Sequence, residues 1–277
     1  MDVQVIGLLR FSILTADPGR SWRVPRQGGR DDYEEVLFAE ERLERRFRLF
    51  EAITLPSLDA QADRDFTVVA MTSKRMPRPW RRRLKALADG RETLRVMAFE
   101  PDGPVPRFAR KAVDRLRRPA DRVATFRLDD DDAIACDFVG ALRAAAAAAE
   151  PGAVVSAAHG LRVRAEPGRT FRALPEEKAN AAQGLAFVAH GQDPATVFSQ
   201  GNHARIDPAR IGPIASDAPS WIRTHHSHND SRGNRSDPFA RDEHAASPRL
   251  DGAAFEELVA RGYPTLRAGP LWDALTS

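Results

Sequence analysis

Short apolar runs alternate with stretches whose apolar residues recur every three or four positions, and this alternation fills the first half of the chain. The runs predict strands at Val3–Leu9, Phe66–Met71, Leu94–Phe99, Val123–Leu128 and Val154–Ala158. Between the first two, Leu43, Phe47 and Phe50 fall at i, i+4 and i+7 and predict a helix over Ala39–Glu51, with Glu41–Arg45 and Glu44–Arg48 as outward pairs. Pro56 should break or kink it. A second helix is expected over Pro79–Ala88, ended by Gly90, and a third over Val105–Leu116. Ile134, Phe138 and Leu142 mark a fourth, continued by the alanine run to Ala149.

Strand and helix in turn are the signature of an α/β fold: a mostly parallel, Rossmann-like sheet flanked by helices, doubly wound through about residue 158. Beyond that point the pattern loosens. Leu161–Arg164, Leu185–Val188 and Thr196–Phe198 read as strands, Ser216–Ser247 as polar loop and Phe255–Arg261 as a last helix. With no internal repeat and no linker, residues 1–277 read as one domain with a regular half (1–158) and an irregular half (159–277).

Composition changes this picture little. Apolar residues make up 42% and charged residues 29%, ordinary for a globular protein. The single cysteine, Cys136, forms no internal disulfide. Val3–Leu9 is too short for a signal peptide and has Asp2, not a basic region, before it. A cytoplasmic location is expected, with peripheral membrane association left open. The formal charge is only +3; 42 basic residues less the four lysines leaves 38 arginines. Only Lys74–Arg83, around Trp80, approaches the basic-aromatic pattern of a nucleic-acid binder. It reads as a solvated helix start, and no nucleic-acid partner is expected.

Chemistry concentrates in Arg127-Leu128-Asp129-Asp130-Asp131-Asp132, placed where a strand ends and a helix is expected to begin. The carboxyl edge of an open α/β sheet is where ligands bind. Two carboxylates about 6 Å apart repel by roughly 3 kcal/mol at an effective dielectric near 20. A helix N-terminus returns only about 0.3–1 kcal/mol per charge. The run therefore needs counter-charge, from arginines or from a cation such as Mn²⁺ or Mg²⁺, which suits oxygen ligands. Strand alternation makes Asp129 and Asp131 an Asp-x-Asp pair, although Asp130 with Asp132 is the other register. Asp132 alternatively serves as a helix N-cap.

Around this run the sequence resembles the rhamnosyltransferase family of GT-A-fold glycosyltransferases. The resemblance is carried by Arg10-Phe11-Ser12, Arg42-Leu43-Glu44-Arg45-Arg46 leading to Leu49-Phe50-Glu51, and Thr54-Leu55-Pro56-Ser57-Leu58 with Gln61. It continues through Asp65-Phe66, the acidic run, and Trp221-Ile222-Arg223-Thr224-His225-His226 with Asn229. It implies a GT-A-like fold, a nucleotide-diphosphate sugar donor held by residues 1–158, and a hydroxyl acceptor such as a glycan met by residues 159–277. It also implies a metal held by Asp129 and Asp131, with His226 completing the shell and Asp130 near the donor.

Three of the seven histidines fall within His225–His228. The alternatives to a metal ligand there are a titrating surface loop or a zinc site, the latter lacking a nearby cysteine. Arg10 and Ser12 follow the first strand, where arginine can meet phosphate in bidentate fashion. His203 and Asn229 are expected near the substrates. Trp221 either stacks on a sugar ring or packs in the core. Inverting transfer needs a base, for which Asp217 is the candidate. A sugar nucleotidyltransferase is the rival enzyme, but it should carry a glycine-rich loop where Leu8-Leu9-Arg10-Phe11-Ser12 stands. An aspartyl phosphatase fits neither register. The non-enzymatic rival is an arginine-rich binder of anions.

Overall fold

In the computed structural model, which describes residues 1–16, 30–216, 218–226, 239 and 248–276, two sheets share the chain. The large sheet has seven strands: β1 (Val3–Arg10), β2 (Phe66–Ser73), β3 (Leu94–Phe99), β4 (Arg122–Asp129), β6 (Val154–Ser156), β9 (Leu185–His190) and β10 (Ile211–Pro213). Their spatial order is β10-β6-β9-β4-β1-β2-β3. Strands β4, β1, β2 and β3 run parallel, while β9 is antiparallel to both β4 and β6. This is the mainly parallel α/β sheet the alternating pattern predicts.

Both faces of β1 are buried, and its alternation sorts them. Val3, Val5 and Leu9 enter one apolar cluster with α2 (Glu40–Leu49), α4 (Arg78–Ala88) and α6 (Phe138–Ala148); Ile6 and Leu8 enter the opposite one with α5 (Val105–Leu116). A fully buried leucine or phenylalanine contributes about 1.5–3 kcal/mol. The two faces fix β1 and β4 at the sheet's centre, where their carboxyl ends open the site.

The smaller sheet was not foreseen. It orders β5 (Asp132–Ile134), β11 (Trp221–His225), β7 (His159–Glu166) and β8 (Thr170–Glu177). Helices α7 (Gly252–Val259) and α8 (Ala268–Thr276) supply Phe255, Val259, Leu271 and Leu275 to the apolar layer they share with it. The chain interleaves the sheets: β5 comes from the first half, while β9 and β10 return from the second half to the large sheet.

Several local expectations are corrected. Asp132–Ile134 is a strand and α6 begins only at Phe138, so Asp132 caps no helix. Thr196–Phe198 is no strand; Val197–Gln200 forms a 3-10 turn closed by Thr196 and Ser199. Within the expected loop, Trp221–His225 is a strand. Pro56 does not end its helix. A widened turn over Phe50–Thr54, in which Leu55 N–H reaches Phe50 O five residues back, absorbs the ring, and α3 (Leu55–Asp59) continues the path. Among the described residues, no helix is long and apolar enough to cross a membrane.

Candidate active site

The acidic run is where the chain leaves the large sheet for the small one. Asp129 ends β4, Asp130 and Asp131 make the turn, and Asp132 opens β5. Strand alternation therefore stops at Asp129, and the four side chains find four different settings.

Asp129 lies beside Arg10 in register, β1 against β4. Arg10 donates through Nη2 (2.6 Å) and Nε (3.3 Å) to Asp129 Oδ1, and Arg127 Nη2 lies 3.5 Å from Oδ2. Burial opposes ionisation of Asp129, but Arg10 and Arg127 outweigh it and hold the carboxyl well below the usual range. Arg127 feels the converse: burial, only partly offset by Asp129, lowers it to about 10. Both guanidiniums also face the Phe198 ring, at 5.8 Å and 5.4 Å from its centroid.

Asp130 is 1% exposed and pairs through Oδ1 with Arg46 of α2, leaving Oδ2 buried with no hydrogen-bond partner among the described residues. With only one oxygen met, burial prevails over Arg46, and Asp131 and Asp129 add repulsion, raising Asp130 to about 7. On the same helix face, one turn earlier, Arg42 donates to Ser12 Oγ (3.2 Å). Ser12 takes a left-handed backbone (φ +44°), a strained setting for a non-glycine residue at the site's rim.

Asp131 and Asp132 answer to the second sheet. His226, just past β11, donates from Nε2 to Asp131 Oδ2 (3.2 Å). Burial opposes the charge of Asp131, but this bond and Arg46 keep it ionised below the ordinary value. Asp132 accepts from Gln183 Nε2 (2.6 Å) and Thr224 N (3.1 Å). Burial and then the charges of Asp131 and Asp129 push its pKa well above the ordinary carboxylate range.

The turn is braced from below. Thr54, Ser57 and Gln61 share one face of the helix path. Thr54 Oγ1 donates to Asp132 O (2.8 Å), Ser57 Oγ accepts from Ile134 N (3.4 Å), and Gln61 bridges Ala135 O (2.8 Å) and Val139 N (3.1 Å). Thr224 Oγ1 adds a bond to Asp131 O (2.6 Å). These backbone bonds explain the Thr54-Leu55-Pro56-Ser57 motif: it positions the acidic turn and does not itself face a ligand.

The model of the family described as "Putative rhamnosyl transferase" matches residues 4–237. The chain belongs to this family. The sequence resemblance is borne out. No curated protein matches it in sequence. Two solved structures are similar in fold at 11% identity. S. aureus TarS 1–349, in complex with UDP, covers 80% of this chain at a TM-score of 0.39; the chain spans 61% of that one. A 4-diphosphocytidyl-2C-methyl-D-erythritol synthase covers 79% of this chain and is itself 90% covered, at a TM-score of 0.37.

Among the expected site residues of this rhamnosyltransferase-family chain, Arg10, Asp129, Asp130, Asp131 and His226 come together, with Ser12 at the rim. Asp217 and Asn229 lie outside the described residues. Trp221 is corrected: it is fully buried, donates Nε1–H to Ala157 O (2.9 Å), and rests where Gly160 leaves no Cβ to collide with its ring. It packs and offers no face to a sugar. His203 sits partly buried beyond Phe198, its Nδ1 2.7 Å from Asn180 O. Burial and then Arg127 lower its pKa to about 4.

The expected metal trio is also corrected. Among the described residues, no three His, Cys, Asp or Glu side chains gather as a cation-binding group, because Asp129 is turned to its arginines. Asp131 and His226 do fit a cation. Two adjacent ligands, each about 2.1 Å from a small divalent ion, stand about 3 Å apart, close to the 3.2 Å between Oδ2 and Nε2. Sequence reasoning missed Arg46, Arg127, Gln183 and Thr224. Arg46, Arg127 and Thr224 stand inside the motifs that carry the resemblance but were given no role there; Gln183 carried no signal.

Proposed function

We propose that the protein transfers a sugar from a nucleotide-diphosphate donor to a hydroxyl acceptor such as a glycan, with Mn²⁺ or Mg²⁺ held by Asp131 and His226. Rhamnose, the sugar in the family's description, is the first donor sugar to test. The observation that carries this reading is the adjacency of two unlike halves at one sheet edge. Arg10 and Arg127 both meet Asp129 at the carboxyl end of β4, a place where arginine can also take phosphate, and the Asp131–His226 pair stands two residues on.

Asp129 holds both guanidiniums in place, so their donors are oriented before a ligand arrives. Arg10 and Arg127 bind phosphoryl oxygens in the fork geometry that arginine favours. His226 would serve as a ligand through Nε2, the nitrogen that now faces Asp131 Oδ2. A bound cation would supply neutralisation of the charge that grows on the departing diphosphate. A cytoplasmic location belongs to the same reading.

Isothermal titration of uridine, guanosine and thymidine diphosphates, with Mn²⁺ and then with chelator, tests it. One nucleotide should bind tightly with Mn²⁺ and lose affinity on chelation, and its sugar conjugates should support transfer. Binding indifferent to chelator removes the metal. Binding of any polyanion with steep salt dependence and no turnover favours the arginine-rich anion binder.

A further inference from the structure

We propose that His203 is the base that takes the proton from the acceptor hydroxyl, an inference that rests on the glycosyltransferase reading above. Three features of its setting converge on this role.

The first is place. His203 follows the turn Val197–Gln200, whose Phe198 ring lies against both Arg10 and Arg127. Gly201, at φ +75°, makes the bend between that turn and His203. The imidazole thus stands within the field of Arg127, one of the two arginines assigned to the donor diphosphate, on the part of the chain that follows β9.

The second is the tautomer. Nδ1 lies 2.7 Å from Asn180 O, and a carbonyl only accepts, so Nδ1 carries the ring proton. Nε2 is then left with its lone pair. The third is rigidity. Asn180 Nδ2 donates to Ile206 O (3.2 Å), and Asn202 Oδ1 accepts from Ala204 N (3.0 Å), so the short segment bearing the ring is clasped from both sides. Ile206 packs against the apolar cluster beneath β1 and β2.

The charged groups that bear on the ring are Arg127, Asp129 and Lys178. Burial and Arg127 keep the imidazole neutral at physiological pH, the state a base requires. A diphosphate paired with Arg127 would cancel part of that cationic field, so the base strengthens once the donor is in place. In the step, the acceptor oxygen forms a bond to the anomeric carbon from the face opposite the diphosphate. The anomeric carbon–oxygen bond breaks with its electron pair leaving on the diphosphate. The acceptor proton moves to Nε2 and later passes to solvent. Displacement of this kind inverts the anomeric centre.

The experiment compares His203→Ala, His203→Gln and Asp217→Asn with the full-length wild type, using the nucleotide sugar that wild type turns over. For His203→Ala, kcat should fall by about 10²–10⁴-fold, with nucleotide-diphosphate affinity within twofold and circular dichroism unchanged. Free imidazole should restore part of the rate in His203→Ala and none in His203→Gln, whose side chain fills the space. A kcat within threefold of wild type overturns the proposal. So does a loss that imidazole does not rescue and that is matched by weaker nucleotide binding, since that marks a structural role. Full activity in His203→Ala with a collapse in Asp217→Asn moves the base to Asp217. If wild type transfers no sugar yet binds nucleotide diphosphate, the transferase reading fails first and takes this one with it.

Discussion

The four aspartates of one run divide into two pairs that obey different rules. Asp129 and Asp130 face guanidiniums, from Arg10, Arg127 and Arg46, all within the first half of the chain. Asp131 and Asp132 are met by a histidine, an amide and a backbone N–H delivered by the second half. The contrast teaches that charge crowding alone does not define a metal centre. Arginine balance turns the first pair into a frame for cationic donors and an anion. An imidazole, an amide and a backbone N–H meet the oxygens of the second pair instead.

The sharpest way to break this division is Asp131→Asn. The amide keeps the shape but loses the charge, and kcat should fall by roughly 10²–10³-fold, the size of effect seen when one transition-state charge partner is removed. Backbone bonds from Thr54 and Thr224 brace the turn and do not depend on this side chain, so the melting temperature should hold within a few degrees. Wild-type turnover in this variant would mean that the pair assigned to the cation is the wrong one.

Next in size is a pH effect on stability from Asp130. Its folded pKa of about 7 lies above the unfolded value, so the fold favours the protonated form. That contribution is fully present below about pH 4 and is lost as pH rises to about 7. At roughly 1.4 kcal/mol per unit it amounts to 2–4 kcal/mol on that interval. Asp132 adds a slope of the same sign. Denaturant titrations of wild type and Asp130→Asn from pH 4 to 7.5 isolate the first part. The variant loses its Arg46 ion pair at every pH, so the difference in slope is the measurement. Parallel curves would show Asp130 ionised throughout, secured by Arg46 after all.

His226→Ala comes third. Losing one of two protein ligands should raise the Mn²⁺ concentration for half-maximal activity by about 10–100-fold, with donor affinity at saturating metal little changed. An unaltered Mn²⁺ requirement would return His226 to a buffering role beside Asp131.

How far these pairs could be read in advance follows from what each depends on. The large sheet was legible because β1, β2 and β4 are buried on both faces and the first four strands are separated by helices whose apolar spacing is clear, as with Leu43 and Phe47. The arginine frame was half legible: Arg10 follows a strand in plain view and Arg127 stands two residues before Asp129 on the same strand, but Arg46 meets Asp130 through helix docking that leaves no local trace. The second sheet was mostly opaque: of its strands only β7 was foreshadowed, by the run Leu161–Arg164. β5 is three residues long and pairs with β11 across nearly ninety residues, from Trp221↔Ile134 to Arg223↔Asp132. No periodicity reports such a register. His226 was found only through resemblance, and its meeting with Asp131 is a consequence of that same pairing.

Trp221→Phe, the smallest expected effect, sharpens the comparison by loosening only the second sheet. Phenylalanine keeps most of the buried ring but removes the Nε1–H bond to Ala157 O and leaves a small void beside Gly160. The cost should be about 1–3 kcal/mol of stability. Because Trp221 sits in β11 opposite Ile134, any residual slack reaches Asp131 and His226 before it reaches Arg10 and Arg127. The requirement for Mn²⁺ should therefore drift upward by no more than a few-fold, while nucleotide affinity and the acceptor KM stay put. A variant that melts normally yet loses acceptor affinity would place this ring against the sugar, contrary to its full burial.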